Sequence, residues 1–523
     1  MKTQHAQDLT TLIDKIKKVL EYVLRAEQRA GAALSEVHPH YRESARNLVH
    51  YMALRSFDLR EVQAELSMLS ISSLGHSEGY TMTNLRKILE LLKLLNGEHV
   101  ERALKQQFYS PFNYFRSREQ LRENARSLFG CCTRGDLAQI MVTMDTEAAY
   151  NYELIHQLIQ AGMDIARINT SHDSPTEWER MIENIRRAEA ETGRSCLVYM
   201  DLAGPKIRTG SVDPACCLPH ANKGPYLLLK KGDGLRIVPR VAESNGQQGI
   251  AAGQVPQVGI TLPQILEDVE AGQRIAFDDG KLGGVVREAG PEGLLVEITF
   301  GRPDGAKLRA NKGINLPDTH LRLPSLTEAD YEHLPFMAEH ADMIGYSFVR
   351  TPADVEQLQS DLRQLGRDDL GIILKIETKE AFENLPVLLL TAMKSPRVGV
   401  MIARGDLAVE IGFERIAEVQ EEILWICEAA HIPGVWATQV LEKLAKKGVA
   451  SRAEITDAAM SARAECVMLN KGPSVVKAVA TLDDIIRRMA SHQFKRKSNL
   501  RPLQVARLFL EAKKELGEET ENR

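Results

Sequence analysis

Short apolar runs alternate with amphipathic stretches over most of the chain beyond Gln139. The runs are QIMVTM from Gln139, DIARIN from Asp164, CLVYMD from Cys196, MIGYSFV from Met343, IILKIE from Ile372, VGVMIA from Val398, GVWATQ from Gly434 and CVMLN from Cys466. Each is short and almost continuously apolar, the pattern of a parallel strand buried on both faces. Stretches of helical character follow most of them: Thr146–Ala161, Pro175–Thr192, Pro352–Leu365, Lys379–Met393, Glu414–Ala430 and Arg452–Ala464, with a last helix from Val475 to about Met489. Eight strand–helix units in succession predict an α/β fold, a TIM (β/α)8 barrel. An open doubly wound sheet fits the same alternation, but no glycine-rich dinucleotide loop follows the first strand.

The rest of the chain has other periods. Residues 1–130 read as helices only, with Leu9, Leu12, Ile13, Ile16, Val19, Leu20, Val23 and Leu24 on one face of the first. Further helices are expected over Tyr41–Leu54, Leu59–Leu69 and Tyr80–Leu95, interrupted at Ser70–Gly79, where His76 reads as a loop histidine. Between the third and fourth strands, from about Ser211 to Pro317, the chain is rich in Gly and Val and lacks helical spacing. This is expected to be a small all-β domain inserted in a βα loop on the catalytic face, able to act as a lid. The predicted division is an all-α extension (1–130), the barrel (131–210 and 311–490), the inserted β domain (211–310) and a tail (491–523). The tail holds a basic cluster, Lys495–Arg496–Lys497, and an amphipathic helix at Pro502–Leu516.

Composition narrows the class of protein. A net charge of −5 favours neither nucleic acid nor an anionic membrane as partner. No apolar run is long enough to span a bilayer, and Met1–Thr10 is polar with acidic Asp8, unlike a signal peptide. The seven cysteines are odd in number and lack metal-ligand spacing, so they read as reduced thiols of a cytoplasmic protein.

Chemistry in a TIM barrel sits at the carboxyl ends of its strands. Those ends carry Arg167 and Asn169 (second), Asp201 (third), Ser347 (fourth), Lys375 and Glu377 (fifth), Asp406 (sixth), and Thr438 and Gln439 (seventh). In VGVMIARGDLAVEI, Gly405 lets the backbone turn, and Asp406 falls where a helix begins, beside free N–H groups. Glu377 and Asp406 are hard oxygen ligands suited to Mg²⁺ or Mn²⁺, and Arg167 and Lys375 supply positive charge for a phosphate or an enolate. The set describes a site for a metal-bound oxyanion or phosphoryl group.

At this point the motifs together resemble the pyruvate kinase family. They are ARINTSH (Ala166–His172), MDLAGPKIRTG (Met200–Gly210), FDDG (Phe277–Gly280), NKGINLP (Asn311–Pro317), LKIET (Leu374–Thr378), ARGDLAVEI (Ala403–Ile411), WATQVLEKL (Trp436–Leu444) and SRAEITD (Ser451–Asp457). The likeness runs over about residues 133 to 485; no sequence corresponds to the family's C-terminal regulatory domain. It implies that Glu377 and Asp406 bind the divalent metal that bridges to phosphoenolpyruvate. It implies that Lys375 stabilises the transferring phosphoryl group and the enolate, that Arg167 holds the phosphate, and that Gly405, Asp406 and Thr438 take the substrate carboxylate. His172, Arg208 and Lys312, with Asp279 from the lid, correspond to contacts for ADP or ATP. Asn169, Ser171 and Asp201 match the family's monovalent-cation site. Where many members have Glu and require K⁺, this chain has Lys206, whose ammonium can stand in for the ion. Leu202 fits that subgroup, so K⁺ is expected not to be required.

Three turns depart from the family pattern. Asp145–Thr146–Glu147–Ala148 replaces a GPAS-like turn and puts a carboxylate near the nucleotide phosphates. Ser171–His172–Asp173 replaces SHG. Asn470–Lys471–Gly472–Pro473–Ser474 replaces SGETA, so the serine linked to enolate protonation is Asn470, which cannot relay a proton as a hydroxyl can. The expected activity is transfer of phosphoryl from phosphoenolpyruvate to ADP, giving pyruvate and ATP. The alternatives are a metal-enolate lyase, an aldolase-like enzyme or another phosphotransferase, or a catalytically degenerate regulator that binds metabolites. A homo-oligomer, specifically a dimer formed through the barrel, is expected.

Overall fold

Eight parallel strands close on one another: β1 (Gln139–Thr143), β2 (Ile165–Asn169), β3 (Leu197–Asp201), β4 (Met343–Tyr346), β5 (Gly371–Ile376), β6 (Val398–Ala403), β7 (Gly434–Ala437) and β8 (Cys466–Leu469). Each pairs with its neighbours in sequence, and β1 pairs with β8 to complete the barrel. The computed structural model describes residues 2–71, 74–98, 112–131, 134–135, 137–213, 217–218, 224–241, 255–490, 493–494 and 497–498.

Successive side chains of a strand alternate between the barrel interior and the surrounding helices. On β5, Ile372, Leu374 and Ile376 join the outer core against the helices, while Ile373 belongs to the inner cluster with Met141, Ile165, Tyr199, Met343, Met401, Val435 and Cys466. This parity decides where polar residues go. Two positions on from Met141, Ile165, Tyr199, Met343 and Ile373 stand Thr143, Arg167, Asp201, Gly345 and Lys375, which therefore line the upper interior.

The lower interior is closed from outside the barrel sequence. Helix Tyr114–Phe129 begins at Asn113, whose side chain accepts the N–H groups of Phe115 and Arg116 at 3.0 and 3.1 Å. It ends at Gly130, and its last residues, Leu128 and Phe129, pack into the inner cluster. Leu128 lies so close to Gly371 and Gly399 that a Cβ on either would fall 2.7 or 2.6 Å from it. β5 thus carries glycine at its first position and β6 at its second because a leucine plugs the barrel there.

Helices Lys2–Arg29, Arg42–Arg55, Arg60–Met68 and Thr81–Leu95 bury a core of their own, including Ile13, Ile16, Leu54, Leu66, Leu85 and Leu92. Tyr41, Ala45, Leu48 and Tyr51 extend the barrel's outer core. The junction is also polar. Asn47 donates to the carbonyls of Glu78 (2.7 Å) and Ala429 (2.8 Å) and accepts from Thr81 N–H (2.9 Å). His431, just ahead of β7, is left-handed at φ 49° and meets Ser44 Oγ at 3.1 Å and Gly79 O at 2.9 Å. Burial lowers its pKa to about 4, so the imidazole is neutral.

The inserted domain forms a seven-stranded sheet and a two-stranded one around Leu235, Ile237, Phe277, Val286, Leu294 and Val296. Some elements differ from the sequence reading; the helix expected over Thr146–Ala161 is a 3-10 turn, Thr146–Ala149, followed by the helix Tyr152–Ala161. Helix Glu328–His340 precedes β4, and its interior Pro335 breaks the periodic signal. The stretch expected as one helix over Lys379–Met393 divides at Asn384, ahead of Pro386, into Lys379–Glu383 and Leu385–Ala392. Lys495, Arg496 and the expected helix at 502–516 lie outside the described residues. Among the described residues no helix is long and apolar enough to cross a membrane.

Candidate active site

The upper interior holds a buried network of compensated charges. Asp201, 1% exposed, accepts from Arg167 Nε at 2.6 Å and from the Tyr199 hydroxyl. Arg167 also donates to Thr143 Oγ1 at 2.8 Å. Lys375 donates to Ser347 Oγ at 2.7 Å and stands 3.3 Å from Glu377 Oε1 and 3.5 Å from Asp201 Oδ1. Burial pushes the Asp201 carboxyl up, but Arg167 and Lys375 outweigh it and hold the group below its ordinary range. Glu377 goes the other way, raised by burial and by the nearby Asp406 carboxylate against the pull of Lys375.

Asp406 stands beside this network on the first turn of helix Arg404–Ile411. The neighbouring turn after β7 is clamped by Arg404, which donates to the carbonyls of Ala437 (3.1 Å) and Thr438 (2.6 Å), pairs with Asp457 (2.5 and 2.9 Å) and lies over the Trp436 ring. Thr438 and Gln439 are thereby held in left-handed backbone at φ 64° and 60°, strain of the kind that collects at functional sites. The Thr438 hydroxyl accepts Gly405 N–H at 2.8 Å. Phe348, also left-handed at φ 54°, donates its N–H to Glu377 Oε2 at 2.7 Å.

Glu377 and Asp406 are two hard carboxylates near enough for their charges to oppose, one raised by the other. A divalent cation relieves that repulsion, and Mg²⁺ or Mn²⁺ suits a site with few protein carboxylates. The residues present fit such an ion.

Lys206 corrects the sequence reading. Its ammonium does not join Asn169, Ser171 and Asp201. It lies 3.0 Å from both oxygens of Asp406. The reason is electrostatic: Asp201 already carries Arg167, Tyr199 and Lys375, whereas Asp406 faces only another carboxylate. Asn169 Oδ1 is occupied locally, accepting Ser171 N–H at 3.1 Å.

The lid meets the barrel over this site. Asp278 and Asp279 are both left-handed, at φ 51° and 56°, and Asp279 adds to the field that raises Lys206 against its burial. Lys312 pairs with Asp278 at 2.9 Å, and Arg208 Nη1 reaches Asn311 O at 3.5 Å. His172 is at the rim; partial burial and then Lys471, Arg208 and Arg167 hold its pKa down. Asn470 follows β8 half-buried. Asp145, expected to present a bare carboxylate to phosphates, is instead paired with Lys471 at 3.1 Å.

Sequence reasoning missed Tyr199, Lys471 and Glu410. Tyr199 reads as an apolar strand residue; only its parity with Asp201 could have found it. Glu410 lies one helical turn beyond Asp406 and accepts from Asn315 Nδ2 of the lid base at 3.1 Å. Both line a cavity of about 430 Å³ with Lys206 and Phe348.

A (β/α)8 barrel with paired carboxylates, a lysine and an arginine at its strand ends, under an inserted β lid, defines an enzyme class that handles metal-bound oxyanions. Comparison with known proteins narrows it. Residues 137–475 match the family model described as pyruvate kinase, barrel domain. The chain is 33% identical over 341 residues to a pyruvate kinase of Mycobacterium tuberculosis (strain CDC 1551 / Oshkosh), covering 64% of this chain and 66% of that protein. It is 34% identical over 345 residues to the human pyruvate kinase PKLR, covering 64% and 56%, and 32% identical over 349 residues to a pyruvate kinase of Geobacillus stearothermophilus, covering 65% and 54%. The match thus spans less than two thirds of these relatives' length. The chain belongs to the pyruvate kinase family.

Glu410 supplies a pH test of the lid base. Burial, with Asp406 adding to it, raises its pKa from 4.5 to about 7. Between those values the folded chain holds a proton that the unfolded chain has lost, so stability falls as pH rises through the window. Glu410→Gln keeps an acceptor for Asn315 but cannot ionise. Denaturant unfolding from pH 4 to 8 should show the variant gaining on the unaltered chain by about 3 kcal/mol across the window. A difference that stays constant with pH contradicts this assignment.

Proposed function

We propose that the chain transfers the phosphoryl group of phosphoenolpyruvate to ADP, giving pyruvate and ATP, with a divalent cation. The observation that carries the reading is Lys375, held at 2.7 Å by Ser347 between Glu377 and Asp201. A buried ammonium fixed between the carboxylates of Glu377 and Asp201 is placed to meet negative charge that develops during reaction. Family membership points the same way.

Glu377 and Asp406 would hold Mg²⁺ or Mn²⁺, which supplies Lewis-acid charge at the phosphate and enolate oxygens when bound. Arg167, fixed on Asp201 and Thr143, binds the phosphate. Lys375 neutralises charge on the phosphoryl group in flight and on the enolate oxygen left behind. The Asp406 N–H and the Thr438 hydroxyl, whose oxygen is held by Gly405 N–H at 2.8 Å, would receive the substrate carboxylate at the start of a helix. His172, Arg208, Lys312 and Asp279 face the nucleotide from the rim and the lid. Little covalent work remains for the protein; positioning and charge neutralisation are what phosphoryl transfer needs. Lys206 supplies a fixed cation beside Asp406 and not at the monovalent-cation site, so turnover without K⁺ rests on the resemblance alone.

The lyase alternative draws its support from the altered turns after the strands; Arg208, Lys312 and the lid over the site weigh against it. A regulator without turnover has no use for Lys375 buried against Glu377.

Pyruvate formation from phosphoenolpyruvate, assayed with and without ADP, decides among the three. The account predicts formation only with ADP, and a loss of about a thousandfold or more in Lys375→Met. Pyruvate without ADP, silence in both, or an unchanged Lys375→Met rate refutes it. In the same assay, replacing K⁺ by a tetraalkylammonium salt should leave the rate intact; loss of most turnover would sink K⁺ independence.

A further inference from the structure

Tyr199 and Asp201 stand two residues apart on β3 and so share its inner face. The Tyr199 ring is fully buried in the inner cluster with Ile165, Met343 and Ile373, and its hydroxyl donates to Asp201 Oδ1. The neighbouring strand leaves room for it. Gly345 of β4 is paired in register with Asp201, and a Cβ there would fall on the Tyr199 hydroxyl. Burial, then the Asp201 carboxylate, holds the phenol well above its ordinary range, so it stays a donor. The other carboxylate oxygen is taken, because Oδ2 accepts from Arg167 Nε at 2.6 Å. Oδ1 faces two donors, and the hydroxyl has it at hydrogen-bond distance. Lys375 Nζ stands off at 3.5 Å and turns instead to Ser347 Oγ at 2.7 Å and Glu377 Oε1 at 3.3 Å.

We propose that Tyr199 is a positioning residue: its hydroxyl occupies Asp201 Oδ1 and so leaves Lys375 on Ser347 and Glu377, open to the phosphoryl group. The proposal rests on reading Lys375 as the cation that meets the transferring charge. A buried carboxylate oxygen stripped of its donor is costly, and the ammonium 3.5 Å away is the group at hand to replace it. Without the hydroxyl, Lys375 closes that gap into a tight charge-assisted pair and gives up Ser347. Its charge is then committed to Asp201 before the substrate arrives. Tyr199 thus acts through Lys375 and touches no substrate, and a shift of about 1 Å in a group that meets the reacting atoms is enough to slow the reaction severely.

Tyr199→Phe in the full chain, which keeps the ring and removes only the hydroxyl, tests this by crystal structure and by kinetics. The crystal structure should show Lys375 Nζ within about 2.9 Å of Asp201 Oδ1 and released from Ser347. Assayed with Mg²⁺, kcat should fall roughly ten- to a hundredfold while the KM for phosphoenolpyruvate moves by less than about threefold. Gly345→Ala puts a methyl where the hydroxyl stands and should slow turnover in the same way. The two changes together should be no slower than Tyr199→Phe alone, because the methyl enters the space the hydroxyl has left. Losses that multiply would mark two separate packing defects and overturn the proposal. Lys375 still on Ser347 in the Tyr199→Phe crystals, or a kcat that does not change, overturns it as well. If the unaltered chain makes pyruvate only with ADP and Tyr199→Phe does so at full rate, the role of Tyr199 fails and the kinase reading stands. If Lys375 moves onto Asp201 in Tyr199→Phe while the unaltered chain makes no pyruvate, the kinase reading fails and the placement of Lys375 by Tyr199 stands.

Discussion

Burying charge inside a barrel is costly unless each charge meets its opposite, and that constraint shapes the top of this molecule. Arg167, Asp201, Lys375 and Glu377 are all nearly inaccessible, and each is held by at least one of the others. Removing one partner strands the rest, so the network fixes the strand ends at the geometry of the site. Compensation is incomplete at one place. Glu377 and Asp406 oppose each other, and Lys206 covers Asp406 with an ammonium. A divalent ion placed between Glu377 and Asp406 would compete with Lys206 for the Asp406 carboxylate.

Support for this layer comes from below and beside it. Leu128 fills the lower barrel against two glycines, so the interior is packed rather than hollow beneath the charges. Arg404 locks the turn after β7 in the strained conformation that presents Thr438 to Gly405. The N-terminal helices bind the same strand from its other end through His431 and Asn47. A segment that reads as an appendage is thus built into the wall that carries part of the site.

The strands were plain in the sequence because parallel strands covered on both faces leave unbroken apolar runs. Once the runs are placed, period-two parity alone puts Arg167, Asp201 and Lys375 on the interior. Other features depend on pairings that no local pattern encodes. Lys471 meets Asp145 across 326 residues of chain. Lys206 chooses Asp406 over Asp201 only because Arg167 and Lys375 have taken the latter. The plug helix Tyr114–Phe129 is rich in charge, and nothing local marks Leu128 and Phe129 as the residues that enter the barrel.

The central claim is that Glu377 and Asp406, which are paired here with Lys375 and Lys206, hold a divalent ion beside the substrate when one is bound. Mn²⁺ binding, read as loss of the free-ion electron paramagnetic resonance signal with and without phosphoenolpyruvate, tests it most directly. The account predicts Mn²⁺ bound by the unaltered chain, tightened by phosphoenolpyruvate, and largely lost in Glu377→Gln. Mn²⁺ affinity that is the same in Glu377→Gln, or indifferent to phosphoenolpyruvate, would contradict it.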